Sequence, residues 1–297
     1  MSDSRIILIE TSTALCSTAL LEGGVITARR FADEPRAHAG MTAPFVQQML
    51  DERGLKVSDC DAVCLSMGPG SYTGLRVGSS TAKGLCFGAG IPLLAVGTLD
   101  VLAAQAIEEG LPEGCEYIVP MIDARRMEVY TAVYSVAGER LTEVRPVVVE
   151  SLESLGLPVD SSLPSPLRGE IPLTPEKQGK GSSGDIPSPA TTANQSNRAP
   201  LRIGSPLSPE KEGKGRSEGP ASSATTANGI LFIGDGVQKC EGVLAGEGRW
   251  LRQECPRADA MKAPALRELA AGAFRDTAYF EPFYLKDFVA TVGKRLF

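Results

Sequence analysis

Apolar and polar stretches alternate along the chain in a way that divides it into two similar halves. The first half opens with the apolar run Arg5–Glu10, turns at residues 11–13 and returns as a second apolar run over residues 16–21. The second half repeats this order, with a run over residues 117–123, a turn, and an alternating run over residues 128–134. Each half therefore begins with a strand that ends in a carboxylate, a turn and a returning strand. This pattern predicts a duplicated α/β domain with any ligand between the halves.

Further elements follow from the same periodicities. Apolar residues at helical spacing predict helices over residues 41–53, 74–88 and 98–109, the last with Thr98 as its cap. Shorter apolar runs predict strands over residues 25–31, 61–67, 93–96 and 230–233. Pro264 opens an alanine-rich stretch that predicts a last helix to about residue 275.

The most informative local feature is the loop at residues 68–78, which reads GPGSYTGLRVG. It has neither the lysine of a phosphate-binding loop nor the spacing of a dinucleotide fingerprint. Glycines inside a helix each cost about 1 kcal/mol relative to alanine, so another backbone is expected close to this helix. Gly74, Gly78 and Ala82 lie on one face and would form a groove for a neighbouring helix. The alternative is a tight strand-to-helix turn that only shapes the fold.

Composition narrows the class of protein. The seven cysteines are scattered without a C-x-x-C pair, which is typical of a reducing cytosol, and the single histidine, His38, excludes sites that need two imidazoles. The chain shows no secretory signal and no apolar stretch near the roughly 20 residues that span a bilayer. We therefore expect a cytoplasmic protein without a membrane partner, and the net charge of −6 argues against binding nucleic acid directly.

Residues 161–228 differ from the rest of the chain. They contain no aromatic residue, and short motifs such as TTAN and PEK recur in them. Such a segment has too little apolar surface to offset its ordering entropy, so it is predicted to be a disordered insert, either inert or a basic arm. Removing its net charge of +2 from the total of −6 leaves −8 on the remaining residues. The predicted domains are residues 1–110, and residues 111–160 together with 229–297.

Four segments resemble the TsaB (YeaZ) family. They are ILIETS at 7–12, the glycine loop at 68–78, IDARRMEVY at 122–130 and PFYL at 282–285. The resemblance implies the duplicated ribonuclease-H-like fold shared with actin, sugar kinases and heat-shock ATPases. It also implies a non-catalytic scaffold subunit that binds a TsaD-like transferase subunit. That complex adds a threonylcarbamoyl group to the adenosine next to the anticodon of tRNAs.

The resemblance also implies where partners bind. The partner surface would be formed by the helix after His38 and the helix after Gly74. In this chain its residues would be Met41, Phe45, Met49, Leu75, Gly78, Ala82 and Leu85. The same surface would form a homodimer when the chain is alone, a TsaE-like ATPase would join the complex, and tRNA would be held indirectly through the partners.

Glu10 and Asp123, at the ends of the first strand of each half, are the candidate cofactor contacts. Carboxylates at strand ends commonly hold magnesium and phosphate, although they also commonly accept bonds from turn amides. The resemblance implies no cofactor of the chain's own, with ATP or ADP and magnesium as candidates at the complex interface. The alternative function is a weak ATPase or kinase of the actin-like superfamily that uses Glu10 and Asp123.

Overall fold

The structure of the protein is a computed structural model that describes residues 4–34, 37–157, 229–246 and 248–285. The predicted insert at 161–228 lies outside the described residues. Within them, the chain forms two mixed sheets with helices on their faces.

The first sheet contains five strands in the order β3-β2-β1-β4-β5. Their bounds are β1 Arg5–Glu10, β2 Cys16–Glu22, β3 Val25–Ala32, β4 Ala62–Ser66 and β5 Leu93–Val96. β1, β2 and β3 form an antiparallel meander, and β4 runs parallel to both β1 and β5. The predicted strands of the first half are confirmed.

The second sheet repeats this arrangement in the order β11-β10-β6-β7-β9. Its strands are β6 Cys115–Asp123, β7 Glu128–Thr131, β8 Tyr134–Ser135, β9 Arg145–Val148, β10 Gly229–Ile233 and β11 Arg249–Arg252, with β8 paired to β6. β6, β7 and β9 are antiparallel, and β10 is parallel to β6 and β11. Each sheet thus has three antiparallel strands followed by two parallel ones. This repeated arrangement is the duplicated ribonuclease-H-like fold that was predicted.

One predicted strand is interrupted. The alternating run over 128–134 was expected to be continuous, but β7 ends at Thr131 and β8 begins at Tyr134. The pairing register places the gap beside Pro120 of β6, which has no backbone N–H to donate to a ladder. Val133 pairs instead with the following segment, since its carbonyl accepts from the amide of Leu141 at 2.7 Å.

The helices are α1 Ala37–Glu52, α2 Tyr72–Ala89, α3 Thr98–Glu108, α4 Glu241–Leu244 and α5 Lys262–Ala270. α1 and α2 pack on one face of the first sheet, where Val46, Leu50 and Cys86 contact apolar residues of the central strands. α5 packs on the opposite face. α3 lies between the two sheets, because Val101 joins the core of the first and Leu102 that of the second.

Several helix boundaries differ from prediction: α1 begins at Ala37 rather than residue 41, and α2 begins at Tyr72 rather than residue 74. Thr98 does not cap α3: the cap residue is Gly97, and the Thr98 hydroxyl lies 2.8 Å from the hydroxyl of Ser66 at the end of β4. α5 begins at Lys262, so that Pro264 lies in its first turn, and the helix ends at Ala270 rather than 275.

The domain boundary also differs. Residues 229–297 were assigned to the second half, but α5 packs on the first sheet and Phe280 joins the core beneath α1 and α2. The amide of Arg275 donates to the carbonyl of Leu93 on β5 at 2.8 Å. The described chain after β11 therefore returns to the first half and covers it.

Candidate functional site

The turn at the end of β1 carries the first candidate carboxylate. Glu10 has no solvent-exposed surface, and its Oε1 accepts a 2.7 Å hydrogen bond from the amide of Ser12. Burial raises the pKa of Glu10 to about 7, and hydrogen bonds from Ser12 act in the opposite direction. Oε2 has no hydrogen-bond partner among the described residues. Glu10 is thus a buried acid that titrates near neutrality, not an open ligand.

The same turn holds the start of α2. The hydroxyl of Thr11 donates to the carbonyl of Gly74 at 2.8 Å, and the amide of Ser71 donates to the carbonyl of Ser12 at 2.6 Å. A side chain at Gly74 would overlap the carbonyl oxygen of Thr11, and one at Gly78 would overlap its hydroxyl. These glycines exist because this chain's own turn presses against α2.

The expected partner surface therefore needs correction. Five of its seven residues are buried in this chain: Phe45, Met49, Leu75, Gly78 and Ala82. Met41 and Leu85 are partly buried and pack against the same cores. The prediction that the groove at Gly74 and Gly78 accepts a foreign helix is wrong, because Thr11 already fills it. The sequence correctly indicated a close backbone but could not say whose.

The outward face of α2 is different in character. Phe87 is 88% exposed, and Gly84 and Gly88 beside it have no atom of the chain within 4 Å of where a Cβ would lie. Gly40 on the exposed side of α1 is equally open. Nothing inside the described chain explains these helical glycines. Sequence reasoning missed this face, although the helical phase places Phe87 on the side of α2 roughly opposite Gly74.

The second candidate carboxylate, Asp123, lies at the end of β6 with its side chain half exposed. Its Oδ1 lies 2.5 Å from Nζ of Lys239 and accepts from the amide of Arg125 at 2.7 Å. Partial burial opposes ionisation, but these donors outweigh it, so the pKa of Asp123 is lowered. Asp235, whose Oδ1 accepts from the Asp123 amide at 2.9 Å, has its pKa raised by burial to about 6.

These carboxylates do not assemble into a metal centre. Across the described residues, no group of three or more His, Cys, Asp or Glu side chains is placed to hold a metal ion. Glu10 offers no surface to a ligand, and Asp123 is already paired with Lys239. Of the two candidate contacts, only Asp123 is open enough for a nucleotide to reach.

The segment after α5 forms a strap, residues 276–285, that runs along α2 between Lys83 and Tyr72. Nζ of Lys83 donates to the carbonyls of Ala278 and Phe280 at 3.1 and 3.2 Å. The ring of Tyr284 lies 4.9 Å from that of Tyr72. Between strap and helix lies an open cleft of about 370 Å³, lined by Arg76, Ser79, Ser80, Lys83, Pro282 and Tyr284. The strap thus borders the outward face of α2.

The remaining sequence candidates have structural roles. His38 contacts the carbonyl of Thr13 through Nε2 at 2.9 Å, which joins α1 to the turn after β1. All seven cysteines are free, and five of them are buried. In the described part of the chain, no helix is both long and apolar enough to cross a membrane.

Comparison with known proteins identifies relatives over much of the chain. Residues 27–181 match the sequence model of the family described as TsaD, tRNA N6-adenosine threonylcarbamoyltransferase. The tRNA threonylcarbamoyladenosine biosynthesis protein TsaB of Escherichia coli is 39% identical over 130 residues, which are 44% of this chain and 54% of that protein. TsaB of Bacillus subtilis is 34% identical over 142 residues, 48% of this chain and 59% of that protein. The chain thus spans about half the length of the curated relatives it matches.

Solved structures show the same fold. A Pseudomonas aeruginosa protein described as similar to peptidase YEAZ superposes with a TM-score of 0.63 at 24% identity, covering 95% of this chain and all of that one. YeaZ from Pseudomonas aeruginosa superposes with a TM-score of 0.62 and the same coverage.

Proposed function

The chain belongs to the TsaB (YeaZ) family, within the group that the TsaD family model describes, and from this we propose that it is a non-catalytic scaffold subunit. In this proposal it binds a TsaD-like transferase subunit, and the complex adds a threonylcarbamoyl group to the adenosine next to the anticodon of tRNAs. The names of its relatives support the assignment to this process, since they are called tRNA threonylcarbamoyladenosine biosynthesis proteins.

The observation that carries the scaffold role is the outward face of α2. The side chain of Phe87 is 88% exposed, although large apolar side chains are usually buried. The neighbouring Gly84 and Gly88 lower the stability of the helix, and no contact within the described chain requires them. Phe87 supplies apolar area, while Gly84 and Gly88 let another helix approach closely beside it. We propose this face of α2 as the transferase-binding surface.

The other assignments follow from the same surface. A helix face of this kind can pair with itself around a two-fold axis, so the isolated chain would form a homodimer that the transferase replaces. A TsaE-like ATPase, with ATP or ADP and magnesium, would join at the junction of the two subunits. With a net charge of −8 outside residues 161–228, the chain would hold tRNA through its partners rather than directly.

The weak ATPase alternative receives no support from the geometry. It required Glu10 and Asp123 around magnesium, but Glu10 is buried and Asp123 is engaged by Lys239. The single histidine contacts a backbone carbonyl.

The test is to replace Phe87 by glutamate. Truncating or charging a central aromatic anchor costs about 2 kcal/mol or more, so affinity for the TsaD-like subunit of the same organism should fall roughly thirtyfold or more. Isothermal titration calorimetry measures the affinity, and light scattering on the isolated chain should show the homodimer become monomer.

Phe274→Glu is the matched control, because Phe274 is also exposed, at 51%, but lies in the segment after α5. It should bind normally. Gly84→Leu, whose Cβ would have no atom of the described chain within 4 Å, should weaken binding by obstructing approach. Unchanged affinity in both Phe87→Glu and Gly84→Leu would disprove the proposed surface. Gly78→Leu and Ala82→Arg are unsuitable tests, since both residues lie in this chain's core.

A further inference from the structure

The buried acid at the end of β1 lies at one end of a short chain of contacts that leads to α2. Oε1 of Glu10 accepts a hydrogen bond from the amide of Ser12. The carbonyl of Ser12 in turn accepts one from the amide of Ser71, the cap residue of α2. Thr11, between them, contacts Gly74 and Gly78 of the helix. Any change that moves this turn must therefore move the first turns of α2 as well.

The charge state of Glu10 is the property of this turn that can change near neutral pH. A carboxylate without solvent exposure loses its hydration, and its Oε2 has no compensating hydrogen bond among the described residues. The neutral acid avoids this penalty. Burial accordingly raises the pKa of Glu10 from 4.5 to about 7.

Among the described residues, no positive charge contributes to the pKa of Glu10 and would hold it ionised. Cys16 on β2 and Cys64 on β4 interact electrostatically with it, and burial raises the pKa of both thiols, so both stay neutral near pH 7. From β4, the hydroxyl of Ser66 is a neutral neighbour. His38 on α1 contacts the carbonyl of Thr13 rather than the carboxyl.

We propose that Glu10 is a positioning residue whose protonation seats the β1–β2 turn against α2 and whose ionisation loosens that contact. Its consequence for partner binding depends on the proposed function, because α2 carries the surface assigned to the transferase. The coupling itself belongs to the isolated chain and can be measured there.

The pKa of Glu10 in the closed turn and its pKa in an opened turn decide how opening depends on pH. The closed turn holds the proton up to about pH 7, whereas an opened, hydrated carboxyl titrates near 4.5. Opening therefore becomes steadily more favourable from pH 4.5 to about pH 7, where only the opened state has lost its proton, and it levels off above pH 7, where both states are ionised. Between pH 6 and pH 8 these two pKa values make opening about tenfold more favourable.

Amide hydrogen exchange of the full chain, read by NMR at pH 6, 7 and 8 and corrected for intrinsic rates, tests the coupling. Protection of the Ser12 and Ser71 amides should fall about tenfold across this range, while Cys86 near the end of α2 should not change. In Glu10→Gln, which cannot ionise, the fall should be less than twofold. In the control Glu22→Gln, on the same sheet but with a lowered pKa, the tenfold fall should remain.

A tenfold fall that persists in Glu10→Gln, or its absence in the wild type, would overturn the proposal. Should Glu10→Gln fail to fold, the carboxyl 13C shift of Glu10 in the wild type decides instead. A midpoint near 7 that coincides with the shift change of the Ser71 amide supports the coupling, and a midpoint near 4.5 refutes it.

Adding the TsaD-like subunit separates this inference from the proposed function. If the partner binds through the outward face of α2, protection of the Phe87 amide rises at every pH. If it leaves Phe87 unchanged, the transferase surface is misplaced, while the pH dependence at Ser12 and Ser71 in the isolated chain still stands or falls by itself.

Discussion

Thr11 illustrates how one residue accounts for an otherwise costly sequence. Its hydroxyl bonds the carbonyl of Gly74, and its atoms occupy the space where side chains at Gly74 and Gly78 would lie. A glycine in a helix is destabilising by itself, but here it permits a contact between backbone and turn that no larger residue allows.

Replacing Gly78 by alanine should therefore destabilise the protein. The added methyl group meets the Thr11 hydroxyl inside a packed interface, and overpacking of this kind costs about 1 to 3 kcal/mol. Urea unfolding measures the loss. The control is Gly84→Ala, where the side chain enters open space and helix propensity should raise stability by roughly 0.5 to 1 kcal/mol. Equal effects at both positions would contradict this account.

At the scale of elements, α3 is the helix that joins the two sheets. One side contributes Val101 to the first core, and the other contributes Leu99 and Leu102 to the second. A partly buried hydrogen bond of 2.7 Å from the hydroxyl of Tyr134 on β8 to Oδ1 of Asp100 ties this helix to the second sheet. α3 and this hydrogen bond thus contribute to the relative placement of the two halves.

Removing that contact with Tyr134→Phe should lower the free energy of unfolding by about 1.5 to 3 kcal/mol, the range for a hydrogen bond to a charged group. Urea denaturation provides the measurement. Tyr279→Phe is the control, because this ring is 83% exposed, and it should change stability very little. If Tyr134→Phe leaves the free energy of unfolding unchanged, apolar packing alone orients α3.

For the whole molecule, the strap and α5 matter as much as the two sheets. They bring the chain after β11 back to the first half, so the two units expected from sequence are intertwined rather than consecutive. Leu155 and Leu157, just before the predicted insert, belong to the core of the second half, as does Ile230 after it. The core of the second half thus continues on both sides of residues 161–228.

Deleting residues 161–228 should therefore leave a chain that still melts in one cooperative transition, as followed by circular dichroism. The segment has no aromatic residue to contribute to a core, and its removal shortens a connection rather than breaking one. Deleting residues 149–157, which removes two buried leucines, should abolish or broaden the transition. A broad transition in the first deletion would show that the insert stabilises the fold.

The sequence by itself determined the repeated strand, carboxylate, turn and strand order, because apolar periodicity reports which residues face a core. It also determined that a backbone presses against the helix after the glycine loop, since Gly74 and Gly78 permit nothing larger. It did not reveal the interruption of β7, because the cause, Pro120, lies on a different strand.

Only the tertiary structure decided which backbone fills that groove and which face of α2 is left open. Gly74, Gly78, Gly84 and Gly88 look alike in a sequence, and they differ only in whether Thr11 lies opposite. The same holds for the carboxylates, since Glu10 and Asp123 occupy equivalent strand ends but one is buried and the other paired with Lys239. Burial and pairing arise from contacts between residues far apart in the chain, and local pattern does not encode them.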